Sequence, residues 1–563
     1  MMRKAWRVHT PSPALARALA EALGIQPLTA QLLMNRGVTE PGLGAQFLDG
    51  GASSVGDPQL LADLPRAVER IRQAIARRER ILVHGDYDVD GITGTVLLVS
   101  CLRRLGADVI SHIPNRLTDG YGLGDGVLTL TRERGAALLI TVDCGTTSHA
   151  LISRLAAQGV DTIVLDHHQT APTRPEAIAL VNPMQSHCAY PNKGLASVGI
   201  AWKVAQALCD GDTGAVHALL DLVALGTVAD VSPLTPENRW LIRQGLEELA
   251  RRRRPGLRAL WQVARLGDQQ PTSSHLGFAL APRLNAAGRL SDPGIALRLL
   301  LAASEEEAQP LAELLEQENQ KRQRIEQQVL GESLAQVERA VNFQESRIIV
   351  LAQEGWHPGV IGIVAARLVE RFYRPAIVVA FDEGMGKGSG RSVRGFHLTN
   401  ALRECGELLE QFGGHSQACG LTIRREQLEP FTASINRIAR QTLDDALLAP
   451  ALEIDAEIAL DQLNGTLVEE IERLAPFGPG NPRPLFAARQ LRLRGAPQLV
   501  GKATMKCWLT DGRLTYQAVA FRWGGDHPAL ADGTLLDAAF TPSLRAWQGE
   551  RSLQLELKDL RIS

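Results

Sequence analysis

Three aspartates at alternating positions, Asp86, Asp88 and Asp90, follow the apolar run Ile81-Leu82-Val83 and stop at Gly91. Held together where the dielectric constant is lowered, three carboxylates repel one another, and protonation or a bound cation must relieve them. A cation is the simpler relief, so the chain is expected to end a strand at a metal site. The same pattern recurs downstream. Residues 138–142 are apolar and lead into Asp143, residues 162–165 lead into Asp166-His167-His168, and an apolar helical stretch ends in Gly226-Thr227-Val228-Ala229-Asp230. Carboxylate oxygens mixed with imidazoles suit Mn²⁺ or Mg²⁺ better than a thiol-preferring ion. No pair of the seven cysteines has zinc-ligand spacing.

Short apolar runs at 81–83, 109–110, 138–142, 162–165 and 178–181 alternate with helical stretches at 93–105 and 149–157. This is the pattern of an open parallel sheet with helices on both faces. The acids fall just past the strand ends, where such sheets collect ligands. Helices are expected at 14–23 and 27–35 ahead of this region, and at 196–208 and 215–225 within it. Residues 304–340 read as one long polar helix, a spacer between domains. A second β-rich unit follows, with strands at 346–351 and 376–380, a helix at 360–371 and a glycine-rich stretch at 384–390 whose N–H groups could face an anion. A third unit, from about residue 452, has strands at 485–493, 516–523 and 553–557 with Gly-Pro turns around 477–482, as a small closed barrel would.

At 563 residues the chain is too long for one core. The expected divisions are a helical lead-in at 1–70, an α/β domain at 71–303, the connecting helix at 304–343, a second α/β domain at 344–445 and a β-barrel at 446–563. Sixty basic and 62 acidic side chains nearly cancel, which excludes a uniformly basic protein but not a local basic groove. The cysteines are dispersed and odd in number, as in a reduced cytoplasmic protein. Neither a signal core nor about eighteen consecutive apolar residues occurs, so no membrane association is expected.

The calcium-loop template requires a glutamate at the twelfth position from Asp86, and that residue is Leu97. A phosphate ester instead calls for two cations, about 4 Å apart, one to activate water and one to balance the leaving oxygen. Asp143, alone at the end of the most apolar strand, is the expected bridge, and a turn at Gly91 would let Asp88 and Asp90 approach a common site. Adjacent side chains diverge, so one of His167 and His168 would ligate while the other contacts phosphate. Arg283, Asn285 and Arg289 share a Gly/Ala-rich segment that would admit an anion. Arg391 and Ser392 end the glycine-rich stretch. His415, after Gly413-Gly414, could cap a helix or touch substrate. In the last domain Lys502, Lys506, Trp508, Tyr516 and Arg522 could line a single-strand groove, or the rings could be core.

The ordered set Asp86-Tyr87-Asp88-Val89-Asp90-Gly91, Val142-Asp143-Cys144-Gly145, Asp166-His167-His168 and Gly226 to Asp230 resembles the DHH/DHHA1 phosphoesterase superfamily. The segment 282–290, Trp356-His357-Pro358-Gly359, Ser389-Gly390-Arg391-Ser392 and Gly413-Gly414-His415 are similar to its bacterial RecJ branch. Ala281 stands where that branch often has glycine. The resemblance implies a DHH domain, a long connecting helix, a DHHA1 domain and an OB-fold. It also implies 5′ to 3′ degradation of single-stranded DNA to 5′-nucleotides in recombination and repair, with two Mn²⁺ or Mg²⁺ ions. His84, Asp86, Asp88 and Asp143 would then surround one ion, and Asp90, Asp143, His167 and Asp230 the other. His168, Arg283, Arg391 and His415 would bind phosphate, beside Asn285, Arg289 and Ser392. Expected partners are single-strand DNA-binding protein and a RecQ-type helicase, in the cytoplasm at the nucleoid. Hydrolysis of short RNA, a small phosphate ester or a cyclic dinucleotide is the enzymatic rival, and a non-catalytic DNA-binding scaffold the other.

Overall fold

The computed structural model describes residues 4–115, 122–210, 212–501, 504–521, 530–547 and 550–562. The chain forms two compact units. One comprises Gln46–Arg322 with Pro476–Pro482, and the other Met1–Ala45, Gln323–Ala475 and Arg483–Ser563.

In the first unit a parallel sheet has the order Val109–His112, Arg80–Gly85, Ala136–Val142, Asp161–Leu165, Ala179–Val181. Alternation decides which face each residue serves. Ile81, Val83, Leu138, Ile140 and Val142 enter the large core with Ile92 and Val96. Leu82 and Leu139 face the other way, onto Leu151 and Leu155. Both faces are therefore covered, and the central strand reads as an apolar run broken only by Thr141. The helix expected at 93–105 starts earlier, at Val89–Arg104, so the aspartate motif runs into its first turn. The helix expected at 215–225 is two, Thr213–His217 and Leu220–Ala229, and the second continues to the residue before Asp230.

The helix Glu305–Ala340 has 36 residues. Ala308, Ala312 and Leu315 belong to the core of the first unit, whereas Val329 and Val337 pack with Ile349, Val360 and Val364 in the second. Glu332 anchors that second half, accepting hydrogen bonds from Trp356 Nε1 at 2.7 Å and Gln353 Nε2 at 2.8 Å.

The second unit holds a five-stranded mixed sheet, in the order Gln411–Gly414, Ala418–Arg424, Met385–Arg391, Ala376–Asp382, Ile349–Glu354. The glycine-rich stretch expected to expose N–H groups is its middle strand, paired on both sides, so its ladder is filled by neighbouring backbone. The last region is a closed barrel. Phe486–Val500, Thr504–Thr510, Thr515–Phe521, Glu550–Ile562 and Leu535–Trp547 pair in sequence, and the last pairs back onto the first. Closure removes the free edges. The lead-in is not wholly helical: Ala5–Val8 pairs in parallel with Ala451–Ile454. Among the described residues, no helix is long and apolar enough to cross a membrane.

Candidate metal centre

The centre is built at the carboxyl edge of the parallel sheet. Asp86 leaves the strand Arg80–Gly85, and its N–H donates to the Val142 carbonyl at 3.1 Å. Asp88 caps the following helix, its Oδ1 accepting from the N–H groups of Asp90 and Gly91 at 2.9 and 3.1 Å. Gly91 is not a turn residue, as the sequence suggested. It lies in the helix, and a Cβ there would sit 2.5 Å from the Asp86 nitrogen. Glycine is needed so that the helix can close onto the aspartate loop. Gly226 has the same use: its Cβ would lie 2.4 Å from Thr93 Oγ1 and 3.2 Å from Asp90 Oδ1. The two helices approach there, and Asp230 caps the C-terminus of the second.

Asp90 is held by a third helix, Ser197–Leu208, whose first N–H groups donate to its two oxygens, each at 2.8 Å. Asp143 follows the central strand at φ 65°, a left-handed conformation uncommon outside glycine. Its N–H donates to the Leu165 carbonyl at 2.9 Å, and its Oδ1 accepts from Ser197 Oγ at 3.0 Å. His167 Nε2 is 3.2 Å from Asp143 Oδ1 and 3.8 Å from Asp230 Oδ1.

Asp166 has a different task. Its Oδ1 accepts from the His167 and His168 N–H groups at 2.8 and 3.1 Å and lies 2.7 Å from His168 Nδ1. Its Oδ2 accepts from Thr146 N–H at 3.0 Å. Burial alone would raise this carboxyl, but the hydrogen bond and charge of His168 hold it well below the usual range. Burial likewise opposes the His168 cation, yet Asp166 outweighs it and pushes that imidazole up to about 9. The two histidine rings do not diverge as expected. They meet edge to face at 4.7 Å, because Asp166 fixes both backbone N–H groups and one ring.

Three ligand groups result, each with donor atoms within 4.8 Å of one another: Asp86, Asp88 and Asp143; Asp90, His167 and Asp230; and Asp143, His167 and His168. Burial, then the neighbouring carboxylates, push Asp90 and Asp143 well above the ordinary aspartate range. Asp230 is raised as well, chiefly by burial, and the carbonyl end of its helix adds negative potential. Buried oxygens that repel one another, with imidazole nitrogen beside them, form a donor set that fits Mn²⁺ or Mg²⁺. The Cys144 thiol is pushed up by burial and by Asp86, and it belongs to none of the three groups.

His84 lies outside all three groups. It stacks on His112 with ring centres 5.2 Å apart and Nδ1 atoms 3.1 Å apart. His112, Asp166, Ser197 and Ser232, whose Oγ donates to Asp230 Oδ2 at 2.5 Å, were not picked out from sequence. Asp166 was visible inside its motif. Ser197 had only its position opening an apolar helix as a signal, and the other two had none.

Arg283, Asn285 and Arg289 ride on the helix Ala281–Leu290. Its small residues, expected to admit an anion, are used for packing: Ala286, Ala287 and Gly288 are buried, and a Cβ on Gly288 would lie 2.9 Å from the Tyr87 carbonyl. Arg283 Nε is 2.6 Å from Glu316 Oε2. In the second unit, Arg391, Ser392 and His415 gather at one end of the sheet. Arg391 pairs with Ala418, Ser392 N–H donates to the Gln417 carbonyl at 2.9 Å, and His415 N–H to that of Ala418 at 2.8 Å. Ser392 Oγ donates to the Phe396 carbonyl at 2.8 Å. His415 is exposed in a strand-to-strand turn and caps no helix.

On the barrel, Trp508 is 48% exposed and faces the same way as Lys506. Tyr516 does not join them. It pairs with buried Leu509, whereas Trp508 pairs with Gln517, and Tyr516 Oη donates to the Leu463 carbonyl at 3.0 Å. Lys502 and Arg522 lie outside the described residues.

The fold and the acid centre define a cation-dependent phosphoesterase architecture: an α/β domain, a connecting helix, a second α/β domain and a barrel. Residues 80–227 match the DHH family, N-terminal domain, residues 345–441 the DHHA1 domain, and residues 454–559 the RecJ OB domain. The single-stranded-DNA-specific exonuclease RecJ of Bacillus subtilis is 36% identical over 561 residues, covering 99% of this chain and 71% of that protein. Its counterpart in Escherichia coli is 36% identical, covering 95% of this chain and 96% of the relative. The crystal structure of RecJ in complex with Mn²⁺ from Thermus thermophilus superposes with a TM-score of 0.85 at 32% identity, covering 99% of this chain and 80% of that one. The chain belongs to the RecJ family.

Proposed function

We propose that this chain is a single-stranded-DNA-specific exonuclease that hydrolyses phosphodiester bonds with two divalent cations, Mn²⁺ or Mg²⁺. One observation carries the reading: acids from three separate chain segments and two imidazoles from a fourth converge in overlapping ligand groups, with Asp143 common to two of them. Asp86, Asp88 and Asp143 would hold one ion, joined by His84. Asp90, Asp143, His167 and Asp230 would hold the other, with Asp143 as the bridge. Such a pair supplies a nucleophilic water at neutral pH and balances charge on the leaving oxygen. The chain's own residues orient the strand. His168, kept cationic by Asp166, contacts the scissile phosphate from the protein side. Arg283, Asn285 and Arg289 serve the phosphates beside it, Arg391 and His415 the terminal phosphate, and Ser392 shapes the turn that presents them. Lys506 and Trp508 hold the strand further along. The domains follow as a lead-in to 70, DHH to 303, connecting helix to 343, DHHA1 to 445 and OB-fold to 563.

Polarity from the 5′ end, release of 5′-nucleotides and a place in recombination and repair are part of this proposal, supported by the family. So are single-strand DNA-binding protein and a RecQ-type helicase as partners, and the nucleoid in the cytoplasm as location. Incubation with Mn²⁺ and end-labelled oligonucleotides is the test. Mononucleotide released from the 5′ end of single strands, with duplex resistant, is expected. Turnover of RNA or dinucleotides alone, or binding without cleavage, would overturn it.

A further inference from the structure

Phe278 is 86% exposed, the most exposed of the large hydrophobic side chains among the described residues. Its exposure has a cause in the sequence. Pro282, four residues on, lacks the N–H that an α-helix would direct at the carbonyl of residue 278, and its ring would strike that carbonyl. The chain widens to a π-helix over Leu276–Leu280, in which the Ala281 N–H donates to the Leu276 carbonyl. Leu276 and Leu280 stay buried while the ring between them is turned to solvent.

The position of this ring relative to the acid centre follows from two close packings of the same helical segment. At Gly277 a Cβ would lie 3.4 Å from Val228 Cγ1, two residues before Asp230. At Gly288 a Cβ would meet the carbonyl of Tyr87, between Asp86 and Asp88. Residues 277 to 288 therefore span from the Asp230 side of the centre to the Asp86 and Asp88 side. Phe278 adjoins Gly277 and so lies at the Asp230 end of this span, while Asn285 and Arg289, four positions apart on the α-helix Ala281–Leu290, share one face of that helix. Val231, the residue after Asp230, is 64% exposed and held at φ 62°, a conformation that strains a β-branched residue and is found mainly where function requires it.

An exposed apolar ring near a centre that fits a phosphate matches a nucleotide, which offers a π-face and a phosphate. We infer that Phe278 is a stacking platform for one unpaired base of the strand whose phosphate is held at the acid centre. The inference rests on the exonuclease reading above. Because the ring touches solvent, its replacement removes a contact surface and not a piece of core.

The test pairs protein and substrate changes. Single-stranded oligonucleotides with one abasic tetrahydrofuran residue, walked along the first several positions from the degraded end, are offered to wild-type protein, Phe278→Ala and Phe278→Trp, and KM and kcat are read separately. Binding to the same strands is followed in EDTA by fluorescence anisotropy. For wild type, one abasic position should raise KM and weaken binding about tenfold. Phe278→Ala should show that loss on the intact strand and no further loss at that abasic position, and Phe278→Trp should restore both. Equal abasic penalties in wild type and Phe278→Ala, or an unchanged KM in Phe278→Ala, would overturn the platform while leaving the exonuclease intact. Wild-type protein that neither binds nor degrades the strand would overturn the exonuclease reading, and the platform with it.

Discussion

The acid centre and the barrel face put charge and apolar surface to opposite uses. At the centre, carboxylates are buried together against their own repulsion, and Asp90 and Asp143 are driven far above their ordinary range. On the barrel an indole is left half in water beside a lysine. Neither arrangement stabilises the isolated protein, and each becomes favourable only with a ligand: a cation pair in the first case, a stacked base in the second. The difference is one of degree. Buried like charges tolerate no substitute, whereas an exposed ring is one contact among several.

The largest effect should come from Asp143→Ala, which removes a member of two ligand groups. Turnover should fall below detection while anisotropy still reports binding to single strands. Near-normal turnover would show that the bridge is misassigned. Metal linkage gives the next largest effect. In wild-type protein, Mn²⁺ at a hundredfold excess over its dissociation constant should add about 2.7 kcal/mol per site, read as a rise in Tm. Asp143→Ala should lose most of that rise.

The same carboxylates set a pH dependence with an unusual sign. A carboxyl raised on folding binds more protons in the native state than in the unfolded chain, so its contribution to stability falls as pH rises from about 4 through its raised value. In EDTA, the stability advantage of Asp143→Asn over wild type should therefore grow with pH across that window. A constant difference would mean that the carboxylates are not crowded without metal.

Much of this centre was legible in the sequence because its cost is. Acids after apolar runs are hard to place without a cation, and the parallel sheet follows from the same runs. The arrangement of Asp166 was not legible, since nothing in Asp166-His167-His168 says that the acid binds two backbone N–H groups and turns both rings together. Ser197 was missed because a serine opening a helix is ordinary until Asp90 is seen to accept from that helix end. Gly91 and the 384–390 stretch differ from expectation for one reason: in a sequence glycine signals turns or open backbone, and here it allows close packing or fills a paired strand. In the barrel, aromatic and basic residues gave composition but no face, and only register separates Trp508 from Tyr516.

Trp508→Ala tests the exposed side of the comparison. Loss of one stacked base should weaken binding to a long strand by about 1–3 kcal/mol, with little change in the turnover of a trinucleotide. Equal loss on both would place the indole near the chemistry. Point substitutions are needed here because truncation before residue 451 would also strip the partner strand from Ala5–Val8.

The smallest effect is expected from Tyr516→Phe. Its hydroxyl donates to the Leu463 carbonyl at 3.0 Å, and its ring pairs across the ladder with Leu509, which is fully buried. Phenylalanine keeps the ring and deletes one partly buried hydrogen bond, so stability should drop by about 1 kcal/mol and strand affinity should not move. The two aromatic residues sit on adjacent strands eight positions apart, yet the twofold period of a strand puts one on the ligand side and the other against the fold. If Tyr516→Phe weakened DNA binding as Trp508→Ala does, that division would fail, and the barrel would use both faces of this strand pair.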